Sequence, residues 1–119
     1  MKTTEFVNLT PHDVNVCIEN GLKKSISFPR TGNIARVVQS TTQVDTLYFP
    51  VNRDDNIGIP VYKVEYGMVA GLPEPKDGVV NIVSAMVKNA VPERTDLVSP
   101  GEPLRDQGGN IVGCKGFFN

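Results

Sequence analysis

The clearest pattern along the chain is a change of period within residues 79–96. Val79, Val80, Ile82 and Val83 are β-branched and enclose one polar residue, Asn81, which reads as a buried strand. Ser84 then stands where a helix N-cap belongs, ahead of Ala85-Met86-Val87-Lys88-Asn89-Ala90, and Pro92 closes the run. A strand leading straight into one short helix is the prediction. Elsewhere the period is two. From Glu5 to Ile18 the chain alternates, with Val14, Val16 and Ile18 on one face, Asn15 and Cys17 on the other, and Thr10-Pro11 as a break. Asn20-Gly21 tolerates positive φ at both positions and signals a hairpin, after which residues 22–28 return as a second strand.

Pro29-Arg30-Thr31-Gly32 turns the chain into a strand over residues 34–38, and residues 43–51 form another. In the latter Val44, Thr46 and Tyr48 alternate with Asp45, Leu47 and Phe49. Residues 59–66 place Tyr62, Val64 and Tyr66 opposite Val61, Lys63 and Glu65, so one packed face and one wet face are expected. Asn52-Arg53-Asp54-Asp55-Asn56 is too polar for anything but a hairpin end, and it lacks the ligand spacing and distal glutamate of a calcium loop. Two prolines stiffen residues 71–78, residues 93–103 read as a loop, and residues 104–106 pair with 111–114 across a Gly-Gly-Asn turn. Phe117 and Phe118 either dock on the sheet or meet another subunit. The predicted fold is α+β, mainly β: a compact antiparallel sheet or partly open barrel, with one short helix after a strand, forming a single domain over residues 1–119.

Composition narrows the chemistry. At 119 residues the chain is long enough to bury a core without metal or disulfide support. Its net charge of -1 and 39% apolar content exclude a basic nucleic-acid surface and a disordered chain. Glu5 interrupts the opening where a signal peptide would be apolar, and no run approaches a membrane span, so a cytoplasmic protein is expected. Cys17 and Cys114 are expected as buried free thiols. The single histidine, His12, is expected to be structural and hydrogen-bonded to backbone; Cys17 is five residues on, so on one continuous strand the two point to opposite faces and a dyad is not expected. One histidine and two cysteines fail the ligand count for zinc, and no phosphate loop or dinucleotide fingerprint is present. Asp54-Asp55 sits in a polar loop with no cause for a raised pKa. The pattern makes no positive case for an enzyme, and no cofactor is expected.

Binding remains. Arg36, Arg94 and Arg105 each lie beside strand or turn structure, and a guanidinium fork matches phosphate oxygens. The alternative is that Arg36 faces solvent, Arg94 pairs with Asp96 or Glu93, and Arg105 pairs with Asp106, as exposed ion pairs worth about 0 to 1 kcal/mol. Residues alone favour the ion pairs.

Several pieces occur together: Asn8-Leu9-Thr10-Pro11-His12, Ile34-Ala35-Arg36-Val37, Gly71-Leu72-Pro73-Glu74-Pro75, Ile82-Val83-Ser84, Arg94 with Asp96-Leu97, and Leu104-Arg105-Asp106 leading to Gly109-Asn110-Ile111-Val112-Gly113-Cys114. In this order they span nearly the whole chain and resemble a family of small phage and prophage proteins. That family is similar in turn to the Thoeris anti-defence one sponges, which bind cyclic ADP-ribose signals without cleaving them. The resemblance implies a phage protein that sequesters a small cyclic nucleotide signal, cyclic oligonucleotides included, as a homo-oligomer, a dimer or higher. It implies Arg36 and Arg105 on pyrophosphate, Arg94 in support, and Asn81 or Asn89 on a base edge or ribose. Relatives often carry Tyr or Phe where Asn81 stands, so the stacking platform is missing, and Phe6 or the terminal phenylalanines are the aromatic surface left. The alternative function is a phage structural or assembly protein acting through subunit contacts, and a nucleotide hydrolase is a third class.

Overall fold

A computed structural model describes residues 3–19 and 23–119. The Asn20-Gly21 turn lies outside them. Among the described residues, ten strands and one helix follow in order: β1 (Glu5–Asn8), β2 (Val14–Glu19), β3 (Lys23–Phe28), β4 (Arg36–Pro50), β5 (Asn56–Ala70), β6 (Val79–Ile82), α1 (Ala85–Ala90), β7 (Leu97–Pro100), β8 (Pro103–Arg105), β9 (Ile111–Cys114) and β10 (Phe117–Phe118). The fold is mostly β, with one short helix after a strand and no closed barrel, as the pattern implied. The chain forms two compact units, one of Met1–Arg36 with Val69–Asn119 and one of Val37–Met68.

The first unit holds two four-stranded sheets, in strand order β1-β6-β7-β10 and β3-β2-β9-β8. In the first sheet β1, β6 and β7 run parallel, with Asn81 opposite Val7 on one side and Leu97 on the other. Parallel neighbours need a crossover, and α1 supplies it between β6 and β7. The Ser84 hydroxyl accepts a hydrogen bond from the Val87 amide at 3.3 Å, so the cap forms where the sequence placed it. Val87 is the helix's buried anchor as α1 packs along β7.

Alternation decides the core. Val14 and Val16 of β2 are buried and meet Ile82 of β6 and Cys114 of β9, with Phe28, Val98 and Phe117 packed around them. Phe117 also stacks with Phe6 at 5.8 Å and tilts against Phe28 at 5.7 Å, which settles its docking on the sheet; Phe118 remains exposed. Cys114 is buried, Cys17 is only half-buried, and both are free thiols. The β2–β3 pairing places Val16 opposite Ile26, and β8 and β9 form the expected second hairpin.

Three expectations are corrected. Residues 97–100 form a strand rather than loop, because Leu97 and Ser99 point inward as an alternating pair despite the flanking prolines. Residues 34–38 and 43–51 are not separate strands: β4 runs unbroken for 15 residues through the polar stretch between them. Its partner β5 is also 15 residues long and has no packed face. Tyr62, Val64 and Tyr66 are exposed, because this second unit is a two-stranded hairpin with no layer of its own above or below. At its end the Asn52 side chain accepts hydrogen bonds from the amides of Asp54 and Asp55, which fixes the polar turn.

Ile82 has no exposed surface and joins the two sheets of the first unit. Ile82→Ala should lower unfolding free energy by about 2–5 kcal/mol, whereas Met86→Ala, on the exposed side of α1, should stay within about 0.5 kcal/mol. Urea titration followed by circular dichroism measures both.

Candidate functional site

Two buried asparagines in the first unit have opposite fates. Asn8, at the end of β1, is 2% exposed and fully satisfied. Its carboxamide nitrogen donates to the carbonyls of His12 and Phe28 at 2.9 and 2.8 Å, and its oxygen accepts from the amide and hydroxyl of Thr10. The Asn-Leu-Thr-Pro-His piece is therefore a structural knot. It also corrects the reading of His12: the backbone of that residue is held, while the residue itself is exposed.

Asn81 is 1% exposed and incompletely satisfied. Its Nδ2 donates to Asp96 Oδ2 at 2.9 Å, and its backbone amide donates to the Asp96 carbonyl at 2.8 Å. Its Oδ1 is buried with no donor. The assignment of the two amide atoms follows from the partner, since a carboxylate needs a donor opposite it. A buried acceptor without a donor costs about 1–3 kcal/mol, and in a native fold such a group calls for an explanation.

Asp96 is the hub of the network. Arg94 grips it with Nε on Oδ1 and Nη2 on Oδ2, both at 2.7 Å, and Nη2 also donates to the Pro73 carbonyl at 2.9 Å. The side chains are only 19% and 12% exposed, so the expectation of an exposed Arg94 ion pair is corrected. The pair sits inside because Asp96 enters β7 beside buried Leu97 and against Asn81 of the central strand. The hydrogen bond from Arg94 holds the Asp96 carboxyl below its ordinary pKa, with a further bond from Asn81 acting in the same direction and burial opposing both. The same bond raises the already high pKa of Arg94, against the cost of burial.

Over this network lies a recess of about 590 Å³. Its floor is the face of β1 and β6 that carries Glu5, Val7, Val79 and Asn81; alternation sends Ile82 to the core on the other side. Its walls are residues 32–34 and 71–76, with Glu74 and Lys76 on the rim. Gly71 makes the two walls meet: φ is +88°, and a Cβ there would lie 2.4 Å from the Ile34 carbonyl oxygen. A second recess of about 550 Å³ runs from residues 10–15 to residues 111–114, and its lining is largely apolar.

The predicted binding residues are thus divided. Asn81 lines the first recess, and Arg94 stands behind it through Asp96 and Pro73. Arg36 opens β4 and is exposed, Asn89 is exposed near the end of α1, and neither lines either recess. Arg105 is exposed too, and its Nη1 donates to the Gly109 carbonyl at 2.8 Å, bracing the β8–β9 turn. Arg105 therefore does not pair with Asp106, whose carboxylate caps the amides of Gly108 and Asn110 instead. Pattern reasoning did not single out Glu5, Glu74 and Lys76. They come from a strand edge and a proline-rich connection about 70 residues apart in sequence, and only the parallel pairing of β1 with β6 unites them.

Comparison with known protein families, curated proteins and solved structures finds no match to this chain.

The lowered Asp96 pKa sets a pH dependence. A carboxyl whose pKa is lower in the folded than in the unfolded chain contributes stability that is complete above the unfolded value, 3.8, and is lost as pH falls toward the folded value. Wild-type stability should therefore fall more steeply than that of Asp96→Asn as pH is taken from about 5 to 3. The two should run parallel from pH 6 to 8. Denaturant midpoints across this range check the prediction.

Proposed function

We propose that the chain is a phage anti-defence protein that sequesters a small cyclic nucleotide signal, a cyclic ADP-ribose isomer or a cyclic oligonucleotide, in the recess above Asn81 without cleaving it. The observation that carries the reading is the recess itself, lined by Asn81, whose side chain keeps one buried oxygen, Oδ1, without a donor beneath the floor. The recess volume falls within the 300–1,000 Å³ usual for small-ligand sites. The carboxylates of Glu5 and Glu74 suit ribose hydroxyls, as acidic residues do in dinucleotide sites, and Lys76 is the cation for a phosphate. Arg94 serves by holding Asp96, and so Asn81, in place.

A second reading is favoured by one observation. The second unit exposes large apolar side chains on both faces, which suits a phage structural or assembly protein acting through subunit contacts.

Thermal shift separates the readings. A ligand at a hundred times its Kd adds about 2.7 kcal/mol, a shift of several degrees for a chain of this size. Cyclic ADP-ribose isomers and cyclic di- and trinucleotides should be screened beside linear ADP-ribose. A cyclic compound should raise the melting temperature, and mass spectrometry should recover it unchanged. Lys76→Glu, on the rim, should abolish the shift and leave the apo melting temperature within about 2 °C. No shift with any compound would remove the sequestration reading.

A further inference from the structure

We infer that residues 72–77 form a strap that closes the first recess, and that Arg94 is the positioning residue that latches it through its hydrogen bond to the Pro73 carbonyl. The inference rests on the recess as a binding site, but its test needs no ligand, so it stands or falls separately from sequestration.

This segment is a stiff rod between two joints. Pro73 and Pro75 fix their own φ and hold the preceding Leu72 and Glu74 in extended backbone, so residues 72–75 move as one piece. The joints are glycines. Gly71 and Gly78 both have left-handed backbone, with φ of +88° and +77°. A Cβ on Gly78 would meet nothing within 4 Å, so its backbone has room to turn. Its carbonyl stays on β1, where the Glu5 amide donates to it at 2.8 Å, and rotation about φ of Gly78 therefore swings the strap while the sheet keeps its place. At the other end Gly71 lies against the Ile34 carbonyl and serves as the pivot.

Little holds the rod between its joints. Proline has no N–H, so two of its six backbone donors are missing and it is poorly suited to strand pairing. Residues 73–77 are exposed, and Leu72 is only half-buried. Among the described residues, hydrogen bonds from outside the segment reach its backbone at two points. The Val79 amide donates to the Lys76 carbonyl at 3.1 Å, a turn at the segment's own end, and Arg94 Nη2 donates to the Pro73 carbonyl at 2.9 Å. Only the second comes from another part of the fold. Arg94 suits the task because Asp96 holds its guanidinium by two bonds of 2.7 Å, so the donor is aimed before the carbonyl arrives. The latch decides the chemistry of the recess as well as its shape. Glu74 and Lys76 ride on the strap, whereas Glu5, Asn33 and Asn81 do not. Unlatching therefore carries a carboxylate and an ammonium away from the rim in one motion. A ligand that needs them meets a competent recess only in the latched fraction, and its apparent affinity falls by that fraction.

Digestion of the full chain with a lysine-specific endoproteinase, its products mapped by mass spectrometry, tests this. Lys76 lies on the strap, Lys88 on α1 and Lys63 on the separate hairpin unit. Cleavage follows the population of the locally opened chain. Arg94→Gln should speed cleavage after Lys76 about tenfold, the effect of losing one hydrogen bond from a charged donor, and leave the rates at Lys88 and Lys63 unchanged. Cleavage after Lys76 at the wild-type rate would overturn the inference, because the bond would then hold nothing. Equal acceleration at Lys76 and Lys88 would overturn it too, because Arg94 would then support the whole unit rather than the strap. Relaxation-dispersion NMR on the wild-type chain gives a readout that does not depend on how the variant folds. The amides of residues 72, 74 and 76–78 and the Nε–H of Arg94 should share one exchange rate on the microsecond-to-millisecond scale of lid motions; flat profiles along the strap would rule the motion out.

Discussion

Everything in the first unit depends on the parallel placement of β6 between β1 and β7. A strand with neighbours on both sides has its backbone donors and acceptors committed, so its side chains are left to decide what each face does. Ile82 goes one way and joins Val14, Val16 and Cys114 to make the core. Asn81 goes the other way and cannot reach water, so its polar atoms must be met by whatever neighbours the topology supplies. Asp96 meets one of them because it is carried to the start of β7 by the crossover through α1. The Arg94–Asp96 pair then neutralises a carboxylate that the same topology has largely removed from solvent. Burial of a charged pair rarely adds much net stability, since desolvation offsets attraction. Its use here is geometric, fixing the amide of Asn81 in one orientation.

The sequence made the local features legible. The Ser84 cap, the strand before it, the β2 alternation and the Asn52 turn all follow from short-range rules and are found where the pattern put them. It concealed whatever depended on pairing between distant segments. Ser99 looks like a loop residue until β7 is seen to be flanked by β6 and β10. The alternation of β5 looks like that of a half-buried strand, yet period two reports only that two faces differ in composition. It does not report whether a layer exists to cover either of them. The recess shows the same limit: Asn81 was singled out in the sequence, but its rim of Glu5, Glu74 and Lys76 exists only because β1 lies beside β6.

The two units pose complementary problems of exposure. In the first, a polar atom is buried with too few partners; in the second, apolar side chains are exposed with too few neighbours. Both departures are of the kind that folding alone does not reward. The sites are separable in chemistry, so a change that affects one need not alter the other.

The pairing of β1 with β6 also bears on the order in which the chain can be built. Glu5 meets Val79 across more than 70 intervening residues, so β1 emerges from the ribosome long before any partner exists for it. The β4–β5 hairpin closes over only five residues and can form as soon as residue 70 is out. At 5–20 residues per second the first strand then waits several seconds for its neighbour. By the end of that interval residues 36–70 have been made while the sheet of β1 is still unfinished. Of this pair, β1 is the earlier to be synthesised, and it is placed only once β6 has followed.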